Sequence, residues 1–284
     1  MAICARKLTA TTNITTAAWR PRSAGPVGPC CVQLTTMALL NAAEHASFRE
    51  NGFLVVDVLS PDELPPVRAA FERLVAKQRD SWEAEAHDGA RSAWETGAQP
   101  RVMNYDQLVE DADTARTVEL LFDPRTMGVC SELMGGAEAG CACYMLMCSP
   151  QSEHGPANWH RDMHPHDQAP LAGLREDMRS NGPALLQWNL ALYDDDVLWV
   201  VPGSHRRPNT DAENAQLLED VHSQISPEAL QVKLKAGQGA LYTNTILHWG
   251  SNYTSKLRRC DFFVVLNDVS GARNVFILNF HEIS

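Results

Sequence analysis

The sequence predicts a mostly β protein with flanking helices, because two helical patterns precede a long region of strand-like patterns. The first helix is expected to begin at Ser60–Glu63, where a serine cap is followed by a proline and, three residues on, a glutamate. The apolar stripe of this helix consists of Leu64, Val67, Phe71, Leu74 and Val75. A second helical region runs from Thr117 to Met134. From Gly140 onward, short apolar or alternating runs are separated by Gly, Pro, Asn and Asp, which predicts a β-barrel or sandwich.

The composition of the chain is that of an ordinary globular protein, with 284 residues, 44% of them hydrophobic and 21% charged. A net charge of −11 argues against binding to nucleic acid, which requires clustered Lys and Arg, so the expected partner is a small-molecule substrate. No apolar run reaches the roughly eighteen residues that a membrane span requires, and the oligomeric state is left open. Of the eight cysteines, Cys141, Cys143 and Cys148 crowd one apolar run, which favours a buried strand with reduced thiols over a disulfide framework.

Residues 1–43 differ from the rest of the chain because they contain no Asp or Glu. The basic residues of this leader are Arg6, Lys7, Arg20 and Arg22. Such a composition is typical of a transit peptide, which would direct the protein to a mitochondrion or plastid. The alternative is that Met37 is the true start, or that the leader is a floppy tail, in which case we expect a cytoplasmic protein. Neither interpretation requires the leader to fold, so a single domain is expected over residues 44–284.

A candidate metal site begins with His160 and Asp162. In an extended strand, residues i and i+2 point the same way, so an imidazole nitrogen and a carboxylate oxygen can reach one ion. A third ligand is available in His248, which ends a β-like run. Two His and one carboxylate on one face of an octahedron leave three positions open, as an iron(II) oxygenase needs for its cosubstrate and O2. The alternative is that all three are ordinary polar residues at strand ends.

Two arginines, Arg258 and Arg259, follow the last of these residues. A guanidinium binds a carboxylate through two parallel hydrogen bonds, so an arginine inside the barrel would anchor the distal carboxylate of a 2-oxo diacid. Strand alternation distinguishes the two. Arg259 lies on the same face of the predicted strand as Asp261 and Asn267, and that face is expected to meet water. The apolar face that shares the parity of Arg258 consists of Cys260, Phe262, Val264 and Leu266. We therefore select Arg258 as the anchor.

Gln187 and Asn189 lie on one face of an alternating run. If this face lines the barrel, both amides could hydrogen-bond the cosubstrate or the substrate. The alternative is that the face meets solvent. The opposite face suits packing beneath outer helices and consists of Leu186, Trp188, Leu190 and Leu192.

Four segments of the chain together carry a resemblance to a known family. They are Phe48–Val56, His160–Asp162, Leu198–His205 and the run from His248 through Asn252 to Arg258. Over roughly residues 44–270 the sequence resembles the phytanoyl-CoA dioxygenase family of iron(II)/2-oxoglutarate oxygenases. The resemblance implies a double-stranded β-helix core, of the jelly-roll or cupin-like kind, with helices packed outside. It also implies His160, Asp162 and His248 as iron ligands, Arg258 as the 2-oxoglutarate anchor, and O2 as the second cosubstrate.

The sequence departs from that family at three places that leave every metal ligand intact. One is Gly237–Gly239, which lacks the Asp often found before the distal His. Arg161 stands between the first two ligands, where a neutral residue is usual, and Asp194–Asp196 replaces an acid-Asn-Gly run. These departures prevent the substrate from being inferred from the family. The expected reaction is hydroxylation, desaturation or rearrangement at an aliphatic C–H bond, with release of succinate and CO2. The alternatives are a cupin-like metal enzyme that does not use 2-oxoglutarate and a non-catalytic protein with a relict metal site.

Overall fold

The computed structural model of the protein describes residues 38–87, 101–102, 111–135, 139–148, 159–162, 185–219, 227–250 and 258–267. Most of the predicted leader, residues 1–37, lies outside the described residues. Among the helices that are described, none is both long and apolar enough to cross a membrane.

Five α-helices lie within the described ranges. They are α1 (Ala42–Asn51), α2 (Leu64–His87), α3 (Arg116–Glu119), α4 (Val129–Leu133) and α5 (Asp211–Glu219). Helix α1 begins at a capping box in which the Asn41 side chain accepts from the backbone of Glu44, whose carboxylate accepts in return from the backbone of Asn41. It ends at Gly52, which has φ of 82° and lies so close to His205 that a Cβ would be 2.4 Å from the imidazole Nδ1. Only glycine fits this position.

The predicted apolar stripe of α2 is confirmed, since all five of its side chains are buried in the main core. The helix begins at Leu64, after a turn in which the Glu63 carboxylate accepts from the Ser60 backbone at 2.8 Å. The expected helical region around Thr117–Met134 is also confirmed. It consists of α3, a 3-10 turn, a single π turn and α4.

Nine strands lie within the described ranges. They are β1 (Phe53–Asp57), β2 (Arg101–Val102), β3 (Ala139–Cys148), β4 (Leu185–Ala191), β5 (Leu198–Val200), β6 (Leu230–Gln231), β7 (Gln238–Thr243), β8 (His248–Gly250) and β9 (Arg259–Asn267). They form a six-stranded sheet in the order β1-β7-β4-β9-β3-β2 and a three-stranded sheet in the order β6-β5-β8. All of the pairings are antiparallel.

Two buried clusters lie on opposite faces of the large sheet. On the outer face, Trp188 of β4 and Phe263 of β9 pack with Phe71 of α2 in the main core. On the inner face, Tyr242 of β7 packs with Val200 of β5, which belongs to the small sheet. The two sheets therefore face each other, and the helices cover the outside of the large one.

The environment of Arg259 differs from the prediction. Arg259 is 5% exposed and donates hydrogen bonds of 2.8 and 3.1 Å to the Glu72 carboxylate on α2. The expectation that it faces water is wrong. Alternation correctly directs its side chain away from the barrel interior, but α2 covers that face of β9, and the guanidinium is buried against a helix.

Asp261 lies on the same outer face of β9 and is fully buried. Its register partners on the neighbouring strands are Leu146 and Leu190. Neither of its carboxyl oxygens makes a hydrogen bond of normal geometry, and the nearby Tyr144 hydroxyl donates to the Thr117 carbonyl instead. Burial raises the pKa of Asp261 well above its ordinary value and outweighs the opposite effect of Tyr144, so the carboxyl group is kept protonated in the folded protein.

Arg161 joins three segments of the chain. Its guanidinium is 6% exposed and donates to the backbone carbonyls of Ser204, at 2.8 Å, and Thr245, and to the side chain of Asn209 at 2.7 and 3.0 Å. The Ser204 hydroxyl in turn accepts from the backbone of Leu247 at 2.9 Å. Burial lowers the pKa of Arg161 to about 10, which still leaves it charged at neutral pH. The unusual arginine is therefore a clamp between loops.

We expect Asp261 to make the stability of the protein decrease with rising pH. Because the pKa is raised in the folded state, its contribution is complete below about pH 3.9 and falls by about 1.4 kcal/mol per pH unit up to the raised pKa. Asp261→Asn removes this titration. The free energy of unfolding of the variant, relative to that of the parent, should therefore increase as the pH rises. Denaturant unfolding between about pH 5 and pH 7, with the exposed Asp62→Asn as control, measures the difference. Parallel pH profiles for Asp261→Asn and the parent would contradict the expectation.

We expect Arg161→Met to lower the free energy of unfolding, because it leaves the buried Thr245 carbonyl without its donor, at about 1–3 kcal/mol. It also removes one of the two donors of the Ser204 carbonyl, the other being the backbone of Arg207. Arg161→Lys should recover only part of the loss, since an ammonium lacks the planar fork. The matched control is Arg206→Met, which removes an exposed arginine from the neighbouring turn. Denaturant unfolding compares the variants, and equal stability of Arg161→Met and Arg206→Met would show that the contacts of Arg161 do not stabilise the fold.

Candidate metal centre

His160 and His248 are backbone partners. The two residues form an isolated antiparallel bridge in which each backbone N–H donates to the other carbonyl at 3.0 Å. In such a pair the two side chains lie on the same face of the sheet. Their ring centroids are accordingly 4.4 Å apart. This bridge joins a histidine in the middle of the chain to another 88 residues later.

Asp162 lies two residues after His160 and completes a three-residue cluster. Its carboxylate oxygens lie 3.3 Å from Nε2 of His160 and 3.2 Å from Nε2 of His248. The three ligand atoms lie within 4.8 Å of one another. Burial raises the pKa of Asp162, but the two imidazoles outweigh burial and hold the pKa well below its ordinary value. The carboxylate is therefore charged and able to bind a cation.

The imidazole of His248 is oriented by a backbone carbonyl. Its Nδ1 lies 2.9 Å from the carbonyl oxygen of Ile246, and a proton on Nδ1 leaves the lone pair of Nε2 toward Asp162. Metal-binding histidines commonly carry such a hydrogen bond on the second ring nitrogen. The side chain is 6% exposed, whereas that of His160 is 33% exposed, so the cluster opens on the side of His160.

Gln187 and Asn189 both point inward and are buried, so the alternative that their face meets solvent is wrong. The Gln187 amide donates to Oδ2 of Asp162 at 2.6 Å and fixes the carboxylate. Oε1 of Gln187 and Oδ1 of Asn189 are buried without a hydrogen-bond partner. Buried polar atoms of this kind indicate where a bound molecule or water makes its contacts. The predicted packing of the opposite face beneath the helices is confirmed by the main core.

Tyr242 is buried beside His248. Its ring centroid is 5.1 Å from that of His248. Burial and then the Asp162 charge raise the pKa of Tyr242 well above its ordinary value, whereas Arg258 and a hydrogen bond with Asn189 act in the opposite direction. The phenol is therefore neutral and lies within electrostatic reach of both the Asp162 carboxylate and the Arg258 guanidinium.

Arg258 is buried on the inner side, 4% exposed, and its Nε donates to Oδ2 of Asp195 at 2.7 Å. The structure thus places the two adjacent arginines in different environments, each with its own carboxylate. Sequence reasoning missed Asp195, because three successive aspartates give no pattern that identifies the buried one. It also missed Tyr242, which the alternation of β7 could have placed on the inner face.

Three solved structures are similar in fold to this chain. AviO1 from Streptomyces viridochromogenes Tue57 has 22% sequence identity and a TM-score of 0.55, over 82% of this chain and 98% of that one. EctD from S. alaskensis with bound Fe has 19% identity and a TM-score of 0.56, over 82% and 78%. SnoN, a non-haem alpha-ketoglutarate dependent epimerase from nogalamycin biosynthesis, has 21% identity and a TM-score of 0.54, over 79% and 82%. At these identities the likeness is one of fold.

No curated protein sequence matches the chain. The profile of the phytanoyl-CoA dioxygenase (PhyH) family matches residues 48–260, which is more than half of the chain and includes every residue of the cluster and Arg258. The expected double-stranded β-helix, the expected enzyme class and the expected cofactors are thereby confirmed. The chain belongs to the phytanoyl-CoA dioxygenase family of iron(II)- and 2-oxoglutarate-dependent dioxygenases, which use O2.

Proposed function

We propose that this protein oxidises an aliphatic C–H bond of a small-molecule substrate at an iron(II) held by His160, Asp162 and His248. The observation that carries the proposal is the convergence of the three ligand atoms within 4.8 Å of one another in a buried cluster. Two imidazoles and one carboxylate are the donor set of the non-haem iron(II) oxygenases, and they leave coordination positions open. The residues present therefore fit the metal that the family uses.

Bound iron would supply the activation of O2 and the oxidative decarboxylation of 2-oxoglutarate to succinate and CO2. The residues of the chain contribute orientation. Gln187 fixes the Asp162 carboxylate, and the Ile246 carbonyl fixes the His248 imidazole. Both effects keep the donor atoms directed at one point before the metal binds, which lowers the cost of ordering them on binding.

Arg258 is the residue that we assign to the distal carboxylate of 2-oxoglutarate. It directly precedes β9 on the inner side, and its charge acts on Tyr242, whose ring lies beside that of His248. A guanidinium on the same side of the sheet as the metal cluster suits a diacid whose other end chelates the metal. Asn189 and Tyr242 are buried on that side and can hydrogen-bond the cosubstrate between its ends.

An aliphatic substrate is favoured by the inner face of the large sheet. A cluster separate from the helix-side core lies there and consists of Met145, Met147, Cys260 and the partly buried Leu185. These side chains offer a soft, apolar wall without charge, and methionine adapts to irregular shapes. Such a wall suits a hydrocarbon skeleton better than a strongly charged molecule.

We expect His160→Ala, Asp162→Ala and His248→Ala each to weaken iron(II) binding by more than about 100-fold, since loss of a supporting residue alone costs 10- to 100-fold. Anaerobic calorimetry on the apoprotein measures the affinity, and circular dichroism checks that the β fold is retained. His45→Ala is the control, because that imidazole contacts Glu132 on α4 instead of the cluster. A variant with parental iron affinity would remove its residue from the ligand set.

We expect Arg258→Ala to raise the 2-oxoglutarate requirement by about two to three orders of magnitude, since breaking a buried ion pair costs roughly 3–5 kcal/mol. Iron affinity should barely change, because Arg258 is not a ligand. Arg259→Ala should leave the 2-oxoglutarate requirement unchanged but lower the melting temperature, because it removes the partner of Glu72. The 2-oxoglutarate dependence of succinate release compares the variants. If neither variant changes it, a cupin-like metal enzyme without this cosubstrate becomes the better assignment.

A further inference from the structure

Asp195 and Arg258 form an ion pair that is almost completely buried. Nε of Arg258 lies 2.7 Å from Oδ2 of Asp195, and the two side chains are 4% and 5% exposed. The same arginine is the one assigned above to the distal carboxylate of 2-oxoglutarate. A second carboxylate therefore belongs to the protein itself and contacts the anchoring residue.

Asp195 is held through both its backbone and its carboxylate. Its backbone N–H donates to the Leu234 carbonyl at 3.0 Å, and its own carbonyl accepts from Leu234 at 2.7 Å. Oδ1 accepts from the backbone of Val197 at 2.9 Å, which leaves Oδ2 to face Arg258. Asp194 next to it is different, because its carboxylate is exposed and pairs with Lys235 on the surface. Of the two, only Asp195 is directed into the protein.

This contact determines how the guanidinium is oriented. Nε lies on one edge of a planar group whose five donors keep a fixed geometry, so a partner on Nε sets the plane and the direction of the remaining donors. Asp195 also places an opposite charge beside the buried guanidinium of Arg258. The arginine is thus oriented in advance of binding.

We propose that Asp195 is a positioning residue that holds Arg258 for the distal carboxylate, so that the protein selects 2-oxo diacids over 2-oxo monoacids. The proposal rests on the proposed function and deepens it. The proposed role explains why an aspartate suits position 195 better than an asparagine would. Both carboxylate oxygens accept a hydrogen bond, from Val197 and from Arg258. An amide has one acceptor oxygen and would turn its NH2 group against one of the two donors.

The test is calorimetric titration of the anaerobic iron(II) protein with 2-oxoglutarate and with 2-oxobutyrate, which lacks the distal carboxylate. We expect Asp195→Asn to weaken 2-oxoglutarate binding by about tenfold or more, as for a lost charge-assisted hydrogen bond, and to leave 2-oxobutyrate binding unchanged. The matched control is Asp194→Asn, the same chemical change in the adjacent exposed ion pair, which should bind both acids as the parent does. The selectivity ratio between the two acids is the readout, and a merely structural residue would not change it.

The outcomes separate this proposal from the one on which it rests. Failure of the parent protein to bind 2-oxoglutarate overturns the proposed function and the role of Asp195 with it. Loss of 2-oxoglutarate binding in Arg258→Ala but not in Asp195→Asn overturns the positioning role alone, as does equal weakening of both acids in Asp195→Asn. Should Asp195→Asn fail to fold, Asp195→Glu keeps the charge and displaces the carboxylate by one methylene. That variant should show the same loss of selectivity, and parental selectivity in it would overturn the proposal.

Discussion

The pair of hydrogen bonds between the backbones of His160 and His248 is the constraint on which the candidate site depends. It fixes two imidazoles on one face, and the two-residue periodicity of an extended chain then brings Asp162 to the same point. The supporting contacts act on this bridge. Gln187 holds the carboxylate from the large sheet, and Arg161 ties the loops on both sides together. The site is thus defined mainly by backbone pairing, to which the side chains add orientation.

Strand β9 shows how one element serves two environments. Arg258, just before the strand, faces inward and pairs with Asp195, and Arg259, its first residue, faces outward and pairs with Glu72 on α2. Both guanidinium groups are buried, and each is paired with a carboxylate, as buried charges generally are. Asp261 lacks a charged partner and is kept protonated by burial. Residues 258–261 therefore contain two paired charges and one carboxyl group that is kept neutral.

Much of this arrangement could be predicted from local periodicity, and the remainder depended on contacts that periodicity does not encode. The spacing of His160 and Asp162, the stripe of α2 and the inward face of β4 all follow from the geometry of single elements. The environment of Arg259 did not follow from local periodicity. Alternation gives the face of the strand on which a side chain lies, but whether that face is exposed to water depends on α2, which is distant in sequence. The clamp of Arg161 and the pairing of Asp195 likewise join loops that are far apart in the chain.

The pairing of β1 with β7 has a consequence for the order in which the candidate site is assembled. Phe53 lies near the start of the domain and pairs with Tyr242, and Gly52 accepts from the backbone of Thr243, so the first strand stays without its neighbour until most of the chain has left the ribosome. Strand pairings of such high contact order form late. His160 is likewise synthesised long before His248. The candidate metal site can therefore be completed only after His248 has been synthesised, and a nascent chain arrested before β8 would carry His160 and Asp162 without the strand that pairs with them.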